Sequence, residues 1–274
     1  MTSNLQRCSL NDSISEVSSL IRAQPLDASH RRALAYLRLV KGDYAGALQQ
    51  LQVAVGLDAS LSPEAQLLRM LVQAERLRTA AFRGSVFPDL MLPAPEWLNP
   101  LLMALRAEAP EARALRESAL DAAPAPHGHT EHTGAFASFS DGDERIGPVL
   151  EVMVGGGYHW LPISSVASFS VQPPGRLPDL LWAPVHITLT NGIKRTGFMP
   201  ARYPLPEDVE LSDSELLYGH RTEWTATKGA GWEGLGRRCW IVDGEMHSLF
   251  EVGTVELQTT TLSTPSTGQP EPSP

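Results

Sequence analysis

The hydrophobic period changes once along this 274-residue chain, and that change limits the possible folds more than any other feature. Up to about residue 122, apolar side chains recur at spacings of three and four. Beyond residue 134 they come in short alternating runs of period two. Between the two lies AAPAPHGHTEHTG, residues 122–134, with no periodicity at all. An α+β chain is expected: an N-terminal all-α domain over residues 1–122, then a Pro/Gly/His linker over 123–134. A C-terminal β-rich, antiparallel domain follows over 135–258, with a disordered tail rich in Ser, Thr and Pro over 259–274.

Charge divides at the same place. Residues 1–125 hold 13 Lys+Arg and 13 Asp+Glu, whereas the remainder holds 9 against 18 and so carries the whole formal charge of -9. Such a balance offers no basic footprint to a phosphate backbone, which argues against nucleic acid as a partner. No apolar run is long enough for a membrane span, so no membrane role is expected. Cys8 and Cys239 are the only thiols, too few for a disulfide scaffold. The N-terminus lacks a basic stretch followed by an apolar one, and the expected location is the cytoplasm.

In the helical half, Asp43 is placed to cap a helix on which Ala47, Leu48, Leu51, Ala54 and Val55 share one face. Gly42-Asp43-Tyr44, with small residues at 47 and 54 and Asp58 at the end, resembles the second helix of a tetratricopeptide repeat. Pro25 precedes Ala59 by 34 residues, the period of that repeat. A first helix opening with the capping box Ser13-x-x-Glu16 and a second over Ser29–Val40 complete the pattern. A longer helix from Ser62-Pro63 to Phe82 and shorter ones near 96–107 and 111–122 follow. A plain helical bundle and a short tetratricopeptide-like superhelix both fit, and the repeat match favours the second. Stacked helix pairs leave a concave groove that binds proteins. Arg31, Tyr36 and Arg38, on faces away from Leu34 and Leu37, are the candidates for meeting a client there.

In the second half, Asn191-Gly192 marks a hairpin between the strand containing Val185, Ile187 and Leu189 and a return strand from Ile193 to Met199. Strands are also expected at Glu151–Val154, Tyr158–Leu161, Cys239–Val242 and 246–252, with irregular connections through 170–182 and 200–235.

The search for chemistry is largely negative. His127, His129 and His132 have metal-like spacing but sit in a Pro/Gly stretch without a rigid frame, where adventitious metal binding is the most to expect. Asp141-Gly142-Asp143-Glu144 lacks the later ligands of a calcium loop and reads as a turn in which Arg145 pairs with a carboxylate. Gly155-Gly156-Gly157 leads into Tyr158-His159-Trp160 rather than a helix, so it is a turn and not a phosphate cradle. No catalytic, cofactor or metal site is assigned.

The second half does resemble one family. Asp141-Gly142-Asp143-Glu144-Arg145-Ile146-Gly147-Pro148-Val149-Leu150-Glu151 is similar to the Asp-x-Asp-x-Arg-x-Gly-Pro-x-Leu-Glu block of the ImpE (SciE/TagJ) family, accessory proteins of type VI secretion. Tyr158 and Trp160 stand in its Gly-x-Tyr-x-Trp element. Asp179 and Trp182 match an Arg-Asp-Leu-x-Trp element in which Pro178 replaces arginine. Arg202-Tyr203 resembles its Pro-x-Arg-Tyr-Pro, and Arg221 with Trp224 its Gly-Arg-x-Thr-x-Trp. In the first half, Ala74-Glu75-Arg76-Leu77-Arg78 is similar to its Ala-Glu-x-x-Arg block.

The resemblance implies a cytoplasmic, non-enzymatic adaptor. Its expected partner is a helix of the small subunit of the contractile sheath, and through it the AAA+ ATPase that dismantles sheaths. The family residues are expected to be structural rather than the binding site. Two other readings stay open: a metal-assisted hydrolase using Asp141, Asp143 and nearby histidines, and a helical-repeat scaffold for an unrelated protein client.

Overall fold

A computed structural model describes residues 9–205, 212–227 and 231–258. The expected tail, residues 259–274, lies outside the described residues. The first half is built from α1 (Leu10–Ala23), α2 (Ala28–Lys41), α3 (Tyr44–Leu57), α4 (Ser62–Phe82), α5 (Leu98–Ala104) and α6 (Glu111–Ala122). Their ends follow the capping chemistry. Asp27 and Asp43 cap α2 and α3 by accepting the backbone N–H groups of Ser29 (2.8 Å) and Gly46 (2.9 Å). Gly42, at φ +85°, closes α2 in the left-handed conformation that glycine adopts freely. The expected capping box at Ser13 is displaced. Ser9 caps α1 by accepting from Asp12 N, because burial begins at Leu10, and Ser13 lies fully buried within the helix.

The second half holds two small sheets and one large one, to which the first half, expected to be all-α, adds the edge strand Asp89–Leu90. The large sheet comprises β1 (Asp89–Leu90), β2 (Gly128–Thr130), β3 (Gly134–Phe136), β5 (Val149–Val154), β6 (Gly157–Pro162), β7 (Val166–Val171), β8 (Trp182–Leu189), β9 (Lys194–Pro200) and β14 (Thr254–Leu257). Its order is β1-β6-β5-β9-β8-β7-β14-β2-β3, antiparallel except where β1 joins β6. The Asn191-Gly192 turn closes β8 onto β9 with Thr188 opposite Lys194, and Gly192 takes φ +81°. The small sheets are β4 (Phe139–Asp141) with β12 (Cys239–Val242) and β13 (Glu245–Ser248), and the hairpin of β10 (Thr222–Thr227) with β11 (Gly231–Gly236).

Several expectations need correction. Residues 123–134 are more than a connector, since they supply β2 at the far side of the sheet, with Thr130 fully buried. The supposedly irregular connections contain the end of β7, a 3-10 turn at Leu177–Leu180, α7 (Ser214–Tyr218) and the β10–β11 hairpin. The strand expected over 246–252 stops at Ser248, the end of β13, and residues 249–252 form a turn.

The halves also share a core. One buried cluster runs from Leu34, Leu51 and Leu68 in the helices to Trp160, Trp182, Tyr203 and Leu217 beyond residue 134. A second, around Phe139, Phe169 and Trp240, has its buried members in the β half, with Met91 and Leu92 packed against it. No helix among the described residues is long and apolar enough to cross a membrane.

Candidate functional site

The family residues converge on the seam between the halves, around charged side chains that both halves contribute. On α4 the inward stripe of Leu71, Val72 and Ala74 continues through Glu75 and Arg78, which are 7% and 0% exposed. Arg78 grips Glu151 of β5 with Nε at 2.7 Å and Nη2 at 3.1 Å, a bidentate pair, and its Nη1 reaches Glu75 at 3.2 Å. Glu151 also accepts from Arg238 Nη1 (2.7 Å) and Tyr158 OH (2.5 Å). Each of its oxygens therefore takes two donors and has no capacity left for a substrate. Trp160 Nε1 donates to Tyr158 OH at 2.6 Å, and Trp182 Nε1 to Glu75 at 2.9 Å. The tryptophans thus fill the core and close the polar network together.

Arg238 carries the network to the acidic turn, its Nε lying 2.6 Å from Asp141 Oδ2. Asp141 Oδ1 accepts from Asp143 N (2.7 Å) and Tyr203 OH (3.0 Å). Asp143 in turn receives Arg145 Nη2 (2.6 Å), Arg145 Nε (2.9 Å) and Gly234 N (3.1 Å), while Arg145 Nη1 reaches Glu233 at 2.8 Å. Glycine is required around this turn. A Cβ on Gly142 would stand 2.7 Å from the Trp224 ring, and one on Gly234 would stand 2.3 Å from Tyr203. Gly147, at φ +56°, turns the chain so that Pro148 enters β5 buried.

The two buried carboxylates at the ends of the network differ in electrostatics. Burial alone would raise Glu151, but Arg78 and Arg238 overcome it and hold the carboxyl at about 2. For Asp141 burial wins. It pushes the carboxyl up to about 7, assisted by Asp143 and Glu151 and opposed by Arg238.

The remaining family residues fasten neighbouring segments. Arg202 Nη1 donates to the carbonyls of Val40 (2.7 Å) and Leu217 (2.6 Å), capping the ends of α2 and α7 at once. Asp179 accepts Gly175 N (3.1 Å) and Arg176 N (2.8 Å). Tyr203 packs against Trp224 with ring centroids 5.4 Å apart. Arg221 differs from the rest: it is solvent-exposed and pairs with Asp213 (2.5 Å) and Glu223.

The residues expected to meet a client are Arg31, Tyr36 and Arg38. All three are half-buried and have partners inside the molecule: Arg31 with Gln50 (3.1 Å), Tyr36 with Glu64, and Arg38 with Asp43 (3.1 Å). Glu64 also binds Arg176 at 2.9 Å. With Trp182 on Glu75 and Arg202 on α2, the second half packs directly on α2 and α4.

His129 lies on β2 and His132 contacts the Glu251 carbonyl at 3.1 Å. Among the described residues, no three His, Cys, Asp or Glu side chains gather closely enough for a metal ion.

Sequence reasoning missed Arg238 as a site residue, and treated Glu75 and Arg78 only as part of a motif. A signal for the latter pair was present, since two charges three residues apart on the apolar stripe of a helix must find buried partners. Arg238 had no such signal: it follows Arg237 in a stretch without clear periodicity.

Comparison with known proteins shows the family and the fold. Residues 133–256 match the family model described as ImpE protein. The chain is 38% identical over 257 residues to the "Type VI secretion system accessory component TagJ" of Pseudomonas aeruginosa, spanning 92% of this chain and 88% of that protein. The crystal structure of a protein from Vibrio parahaemolyticus superposes with a TM-score of 0.82 at 22% identity, covering 91% of this chain and 94% of the other, which shows a shared fold. The chain belongs to the ImpE family.

Proposed function

We propose that this protein is a non-catalytic, cytoplasmic adaptor of a type VI secretion system. It binds a helix of the small sheath subunit and so links the contractile sheath to its AAA+ disassembly ATPase. The observation that carries the reading is the 38% identity, across nearly the whole chain, to a type VI accessory component. The site supports a non-enzymatic role because its carboxylates are engaged internally. Asp141 and Asp143, the pair a hydrolase would need, are taken up by Arg238, Arg145, Tyr203 and backbone N–H groups. The test is co-purification of the tagged full chain with the small sheath subunit, co-expressed alone and again with the ATPase. Recovery of a stoichiometric pair supports the adaptor. A sheath subunit that never co-purifies, with or without the ATPase, removes it.

A further inference from the structure

An apolar cavity opens at the seam between the halves. It measures about 180 Å³ and lies between α4, the end of β5 and the middle of β9. Its helical wall is Leu67, Met70, Leu71 and Ala74, the i, i+3, i+4, i+7 stripe by which one helix packs on another. Met70 is 37% exposed at its mouth. The facing wall includes a tight turn whose two glycines take positive φ. Gly155 and Gly156 form the β5–β6 turn, a Cβ on Gly155 would meet nothing within 4 Å, and one on Gly156 would lie 3.7 Å from Met70.

Charge indicates what fits. The second half carries the whole -9, yet the stretch that supplies the sheet wall is basic. From Val152 to Leu205 the only acidic residue is the buried Asp179, against Arg176, Lys194, Arg195 and Arg202. Arg176 and Arg202 are used internally. Lys194 and Arg195 are exposed, and neither has an acidic partner among the described residues. Lys194 lies on the same face of β9 as Thr196 and Phe198, which line the cavity.

We propose that this cavity is the docking site of the client, and that the client is an acidic amphipathic helix. The helix sets an apolar anchor into this cavity and points a carboxylate at Lys194. The inference rests on the helical-client reading above and adds where, and with what charge, the helix binds.

The test is calorimetric titration of the full chain with synthetic peptides covering the helices of the small sheath subunit. One acidic amphipathic peptide is expected to bind, and more weakly as salt rises. Met70→Glu and Lys194→Glu, both at exposed positions, are expected to weaken it by about tenfold or more with unchanged melting. Trp232→Ala, on the separate cavity lined by Arg113, Glu117 and Leu120, is expected to bind as the unaltered chain does. If a peptide binds but Met70→Glu and Lys194→Glu retain full affinity, or Trp232→Ala alone loses it, the groove assignment is overturned and the helical reading survives. If no peptide binds the unaltered chain, the helical reading itself fails.

Discussion

Glu151 accepts hydrogen bonds from Arg78, Arg238 and Tyr158 in a fully buried position, so each donor is balanced against the others. Deleting one buried partner leaves an uncompensated charge, and Arg78→Ala is expected to cost about 3–5 kcal/mol in urea unfolding. Replacing Arg78 and Glu151 together by apolar residues is expected to cost less than the sum of the two single changes. The ionisation states have their own signature. Asp141 binds its proton more tightly folded, at about 7, than unfolded, where a carboxyl titrates near the ordinary 3.8. Stability is therefore expected to fall as pH rises from about 4 to 7, by up to about 1.4 kcal/mol per pH unit. Glu151 acts in the opposite sense: its contribution is present above its ordinary 4.5 and disappears as pH falls through about 2. Urea midpoints measured from pH 4 to 8.5 check this, and a profile that climbs between 5 and 7 would contradict the assignment to Asp141. The Asp143–Arg145 pairing was legible from sequence, because the two residues lie within one turn. The Arg238–Asp141 contact was not, since 97 residues separate partners that meet only through the pairing of β4 with β12.

At the scale of elements, the links between segments are made by side chains reaching backbone termini. Arg202 satisfies the Val40 and Leu217 carbonyls, which otherwise lie buried at the ends of α2 and α7. Arg202→Met retains much of the stem's packing and removes both bonds, and is expected to cost about 2–4 kcal/mol in denaturant unfolding. A loss below about 0.5 kcal/mol would mean that the cap is idle. The helices were legible because their signals are local: Asp43 before α3, Pro63 in the first turn of α4, and spacings of three and four throughout. The β8–β9 hairpin was legible for the same reason, through Asn191-Gly192. The short strands β2, β3 and β4 were not. Each is three residues long, too short for alternation to register, and β2 and β4 find partners in β14 and β12 more than 90 residues away. The β10–β11 hairpin escaped notice because Gly231, Gly234 and Gly236 read as turn residues, whereas Gly234 is there to let Tyr203 pass.

Across the whole molecule, the break in period and charge at residues 122–134 marks a change of secondary structure but not a division of the core. Trp160, Trp182 and Tyr203 pack in one cluster with Leu34, Leu51 and Leu68, and Arg78 crosses the seam to Glu151. A composition boundary reports which elements a segment forms and is silent on what buries them. The central claim is that the family residues weld a helical half and a β half into one cooperative body. It is tested most directly by equilibrium urea unfolding of the full chain, followed simultaneously by helical circular dichroism and tryptophan fluorescence. Five of the six tryptophans lie beyond residue 150, so fluorescence reports chiefly on the β half and dichroism on the helices. Coincident transitions with one midpoint are expected. Two separated transitions, with the helices melting while the tryptophans stay buried or the reverse, would contradict it.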